Sequence, residues 1–218
     1  MEHTTGLDEL LAGFVAGTLA EPARVLVDSH LELSSRNRDY VRSLEALGGM
    51  SLEDAPPVSL EDRDGRLEAI FAAPEASPAA SERPVREPSV DPRIPASLRR
   101  LIGGRSLDAL PWRSRMPGVK ECRLGEIDGC SASLLWIRAG RAVPSHTHEG
   151  RELTLVLQGG FSDCDGHYER GDIAIADDDI DHKPIADEGE DCICFAVTEG
   201  HLRLTGPVGR FFAPFVRG

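Results

Sequence analysis

Apolar residues in the first third of the chain recur at helical spacing. Leu7, Leu10, Leu11, Phe14 and Val15 share one face over 7–16, and Gly17-Thr18 follows as a stop. A second stripe, Val25, Leu26, Ser29, His30 and Leu33, covers 19–33, with Pro22 suited to a first turn. Tyr40, Val41, Leu44 and Leu47 mark a third helix over 36–47, opened by Ser34-Ser35 and closed by Gly48-Gly49. After a loop containing Pro56-Pro57, Ser59 and Asp62 form a capping-box variant ahead of a fourth helix reaching about 73. Its stripe is Leu60, Leu67, Ile70 and Phe71. That stripe needs a cover, either the first three helices or a partner.

From 107 onward the period changes. Short runs around 112, 119–124, 131–138, 153–158, 172–176, 191–197 and 202–204 are separated by Gly, Pro and Asp, which predicts a sandwich or barrel. Residues 74–97, rich in Pro, Ala, Ser, Glu and Arg, read as a linker. The pattern therefore predicts an α+β chain of two domains: a helical domain over 1–73, a proline-rich linker over 74–97 and a β-barrel domain over 98–218.

Charge narrows the partners. The 218-residue chain carries a formal net charge of −13, which argues against a nucleic-acid surface and suits a basic protein partner. Residues 1–73 hold fourteen acidic and six basic residues, a net of −8. No apolar run approaches the ~18 residues of a membrane span. The acidic start lacks the features of a signal peptide, so the reading is a cytoplasmic protein with no membrane partner. Five cysteines, none in a Cys-x-x-Cys, read as reduced and mainly buried. Cys192 and Cys194 share one face of a strand and can look into a barrel, with core packing as their ordinary role.

The chemistry lies in 140–182. His146, His148 and Glu152 stand at even offsets, which share a face on an extended chain, and His182 arrives on a later strand pair. Three imidazoles and a carboxylate are a normal zinc set and suit iron, manganese or nickel as well. Gly140 and Gly159 complete the spacing Gly-x5-His-x-His-x3-Glu-x6-Gly, which is the first cupin motif. Gly171 and His182 match the second motif, whose Pro, Gly and Asn positions here hold Asp177, Asp179 and Ala186. The barrel thus resembles a cupin jelly roll, with His146, His148, Glu152 and His182 as the metal ligands.

Helical domain, linker and cupin together resemble the ChrR family of anti-sigma factors. Family-like stretches include 10–19, 30–33, 153–159 and 191–194. The resemblance implies an anti-sigma-type helical domain that sequesters an extracytoplasmic-function (ECF) sigma factor. It also implies a cupin, with zinc as its metal, that senses singlet oxygen, a related oxidant or a small molecule. The family's helical domain holds a structural zinc through a histidine ahead of the first helix and a His-x3-Cys-x2-Cys run. Here His30 keeps the histidine of that run, Ser34 and Asn37 stand at its cysteines, and Thr5, with His3 nearby, stands at the first histidine. Serine and asparagine are poor zinc ligands, so the N-terminal zinc is expected to be absent and His30 to be structural.

Two other classes fit the barrel. A dioxygenase-type cupin metalloenzyme would use an open position on the metal, and a ligand-binding cupin would take a small molecule beside His146 and His182. The apolar segment 211–216 suggests a homodimer contact or a seal on the barrel.

Overall fold

Helical stripes and strand runs meet in one apolar layer in the computed structural model, which describes residues 3–73, 91–148, 150–177, 182–199 and 202–204. Among these residues the helices are α1 (His3–Ala16), α2 (Glu21–Leu33), α3 (Arg38–Glu53), α4 (Arg63–Ala72) and α5 (Ala96–Leu101). The strands that build the sheets are β1 (Arg113–Met116), β2 (Val119–Ile127), β3 (Cys130–Ile137), β4 (His146–His148), β5 (Glu152–Gln158), β6 (Gly160–Ser162), β7 (His167–Glu169), β8 (Ile173–Ala176), β9 (Ile185–Ala186), β10 (Cys192–Glu199) and β11 (Leu202–Leu204). They form a six-stranded sheet in the order β1-β2-β3-β10-β5-β8, a three-stranded sheet β7-β6-β9 and the pair β11-β4, all antiparallel. No single described helix is long and apolar enough to cross a membrane.

Period-two alternation explains why β5 and β10 are apolar on both faces. Leu153, Leu155 and Leu157 of β5, with Ile193, Phe195 and Val197 of β10, turn outward and join Leu10, Leu11, Leu26 and Leu98 of the helices in one cluster. Val156, Cys192 and Cys194 turn inward and meet Phe161 and Ala186 of the three-stranded sheet. A sheet covered on both faces gives near-continuous hydrophobic runs. The helical layer is thus the lid on the outer face of the barrel's larger sheet.

Each helix has a local reason for its place. Gly17, with φ +68, ends α1 in a Schellman turn: its N–H donates to Phe14 O and the Thr18 N–H donates to Gly13 O. The first turn of α2 contains Pro22, and the Glu21 N–H donates to Asp128 of the β2–β3 turn at 3.1 Å. Glu32 closes the other end of the layer, its two carboxylate oxygens accepting from the Ala96 and Ser97 N–H groups that open α5.

Three expectations need correction. Gly48-Gly49 do not stop the third helix, which continues to Glu53; nothing crowds either glycine, and solvent-exposed glycine weakens a helix without breaking it. That helix is preceded by Asn37 rather than Ser34-Ser35, and Asn37 makes no capping bond. Nor do Ser59 and Asp62 form a capping box: Asp62 takes the left-handed conformation, φ 51, and α4 begins after it.

The stretch 91–97, read from composition as linker, is folded against the sheet. Ile94 and Leu98 are buried, and Asp91 accepts from the Arg93 backbone N–H, the Arg93 guanidinium and the Leu107 N–H. Arg170 clamps the same segment through the Pro92 and Arg93 carbonyls. The linker positions 74–90 and the segment 211–216 lie outside the described residues. The bonds from Arg93 and Leu107 outweigh burial and hold the Asp91 carboxyl down at about 2, below its ordinary 3.8. A depressed carboxylate adds stability above pH 3.8 that is lost as pH falls through 2. Asp91→Asn is expected to cost roughly 1–3 kcal/mol at neutral pH. In thermal melts, the gap between variant and parent narrows below pH 3.8 and closes as the pH falls through about 2.

Candidate metal centre

Strand pairing, not proximity in sequence, brings the donors together. His146 and His182 form an antiparallel bridge in which each backbone N–H donates to the other's carbonyl at 3.1 Å. Directly paired residues point to one face. Their rings accordingly meet with centroids 4.4 Å apart and their Nε2 atoms 3.0 Å apart. Glu152, the first residue of β5, pairs with Thr198 of β10 and Ala176 of β8 and reaches the same point from the large sheet. Its Oε2 lies 3.5 Å from His182 Nε2 and 4.0 Å from His146 Nε2. The backbone of His148 is paired with Leu202; its side chain lies outside what the structure describes.

The outer bonds set which ring nitrogen faces inward. His146 Nδ1 lies 2.8 Å from the Pro144 carbonyl, which can only accept, so Nδ1 carries the hydrogen. His182 Nδ1 lies 3.4 Å from Asp163 Oδ2 and donates in the same way. Both Nε2 lone pairs then face Glu152 in a site where His146, Glu152 and His182 are all buried. Three buried donors converging within 4.8 Å require a positive charge between them. A metal ion supplies one, and the spacing of about 3.3 Å between ligands of a small tetrahedral cation is close to that seen. A proton is the alternative. Burial alone would lower the His182 imidazole, but Asp163 and Glu152 outweigh it and hold it up at about 9.

Asp163 is the residue that sequence reasoning missed. Its Oδ1 accepts from the Asp165 and Gly166 N–H groups in the β6–β7 turn, while Oδ2 orients His182. These bonds offset its burial and keep it ionised below the usual carboxylate range. The Asp-x-Asp-Gly string signals the turn; nothing local signals the reach to His182. Loss of such an orienting partner typically weakens metal binding 10–100-fold. Asp163→Ala is expected to show that loss in competition with a chromophoric chelator, with the far-UV spectrum unchanged.

Cys192 and Cys194 line the barrel interior with their Sγ atoms 3.4 Å apart. The bond between the thiols, burial and nearby negative charge raise Cys194 well above the ordinary thiol range. Cys194 is therefore held as a protonated thiol.

A double-stranded β-barrel with inward His and Glu donors and a helical lid defines a cupin carrying an added helical module. Residues 105–203 match the model of the ChrR Cupin-like domain. The chain is 40% identical to Anti-sigma-E factor ChrR of Cereibacter sphaeroides over 210 residues, 96% of each chain. Its fold is similar to that of the ChrR chain in the crystal structure of Rhodobacter sphaeroides SigE in complex with the anti-sigma ChrR. There the TM-score is 0.74, covering 88% of this chain and 96% of that one, again at 40% identity. The chain belongs to the ChrR family of anti-sigma factors.

Proposed function

We propose that this protein binds an ECF-type sigma factor through the exposed face of α3 and α4. The observation that carries the reading is α4 itself: it has no buried residue, yet its stripe is apolar. Leu60, Leu67, Ile70 and Phe71 are exposed, and so are Leu47, Met50 and Leu52 towards the end of α3. A ten-residue helix is not stable by itself in water and gains stability from a surface that covers its apolar side. Glu45 of α3, with Glu61 and Asp62 just ahead of α4, adds negative charge that suits a basic partner. The similarity to a ChrR solved with SigE supports the same reading. Retention of an ECF sigma factor from the same genome by the tagged full-length chain tests it; if none of them is retained, the reading fails.

The barrel would hold zinc through His146, His148, Glu152 and His182, with iron, manganese and nickel as alternatives. The inward-facing lone pairs and the Asp163–His182 bond support this donor set. A bound ion would cross-link Glu152 of β5 to the bridged pair His146 and His182. Loss of that cross-link, on oxidation or on binding a small molecule, is the signal the cupin would report. Elemental analysis of the purified chain tests the assignment: one zinc per chain supports it, and none counts against it.

A further inference from the structure

We infer that His30 is a metal-free joint that fastens the α2–α3 turn to the barrel: its Nδ1–H donates to the Gly171 carbonyl, and its Nε2 accepts from the Asn37 side-chain amide. His30 is 2% exposed, deep in the seam between helices and sheet. Its Nδ1 lies 2.6 Å from Gly171 O and its Nε2 lies 3.0 Å from Asn37 Nδ2. The carbonyl can only accept, so the hydrogen is on Nδ1 and Nε2 is a lone pair. Only the NH2 end of Asn37 can satisfy that lone pair, which fixes the orientation of the amide. Both ring nitrogens are therefore committed to protein partners.

The residues around His30 do not fit a zinc ion. Ser34 Oγ accepts from the Arg36 N–H, and the Asn37 side chain is used on the ring. Among the described residues His30 belongs to no group of three or more His, Cys, Asp or Glu side chains with converging donors. Asn37 thus occupies the second ring nitrogen with a neutral amide, leaving no lone pair on the ring for a metal. Every cysteine of the chain lies at 122 or beyond. Thiol oxidants therefore find no cysteine target beside His30 within the helical layer.

Gly171 makes the joint possible. Its φ is +92, and a Cβ there would lie 3.2 Å from Leu33 Cβ and 3.5 Å from Ser34 Cβ. The end of α2 thus rests on bare backbone. Gly171 N–H in turn donates to Val156 O, and Val156 N–H to Asp172 O, which locks this turn to β5, the strand that carries Glu152. The charged groups facing the ring are Asp172 from the turn before β8 and Arg36 from the α2–α3 turn, and these two form an ion pair at 2.9 Å. Burial keeps the ring neutral by lowering its affinity for a second proton.

Long-range proton–nitrogen spectra of the full chain labelled at histidine nitrogen test the joint. The expected result is a neutral Nδ1–H tautomer for His30, with shifts unchanged by excess chelator or added zinc. A His30 Nε2 resonance that moves on chelation or on zinc addition would overturn it. Asn37→Asp, examined in chelator, puts an acceptor against Nε2 and should raise the His30 titration midpoint by roughly one to three pH units. An unmoved midpoint in that variant counts against the joint, and the chelation result on the natural chain stands even if the variant fails to fold.

Discussion

Replacing Ile70 and Phe71 together by alanine should weaken sigma-factor binding by roughly 30- to 1,000-fold, the range for losing hot-spot contacts of about 2–4 kcal/mol. The two side chains are 68% and 83% exposed, on a helix that buries nothing within the chain. Their removal therefore leaves no cavity, and such surface changes shift stability by no more than about 0.5 kcal/mol. Titration calorimetry with the purified sigma factor measures the binding loss, and the melting temperature should stay where it was. A matched control is Leu10→Ala, at a position 1% exposed in the shared core. That change should cost about 2–5 kcal/mol of stability. Unchanged affinity in the double variant would mean that the apolar face of α4 is not the docking surface.

Glu152→Ala should lower the metal affinity of the barrel by more than the 10–100-fold that loss of an orienting partner costs. Glu152 is the single carboxylate among the converging described donors and lies within 3.5 Å and 4.0 Å of the two imidazole nitrogens. Without it only neutral rings remain as ligands, and a divalent cation loses the charge that offsets its desolvation. Elemental analysis after gel filtration should fall from one ion per chain to a trace. Glu152→Asp, which keeps the charge on a shorter arm, should retain part of the metal. Full retention by Glu152→Ala would show that the ion sits elsewhere.

A link between the two sites runs through β5. Glu152 begins that strand, Val156 lies four residues on, and Val156 is bonded to the turn that receives His30. On the other face of the same strand, Leu153, Leu155 and Leu157 carry the helical layer. Any change in how Glu152 is held is therefore felt by a strand whose outer face supports α2. Amide hydrogen exchange in α2, compared with and without metal, reads that coupling directly.

How far the sequence could be read depends on the range of the information. The stripes of α1 and α2, the alternation in β5 and β10, and the even offsets of His146 and Glu152 are local properties, because a helix or strand imposes its period on residues only a few positions apart. They determined the α+β class, the helical and barrel parts and the donor-bearing strands. What covers a face and what meets across a turn are set by pairing between distant segments, which periodicity does not encode. The tertiary structure alone decided that His182 bridges His146, that Asp163 orients it, and that 91–97 folds onto the sheet instead of linking. It likewise decided that Asn37 and Gly171 share one buried histidine. Each of these depends on partners distant in sequence that become neighbours only once the chain has folded.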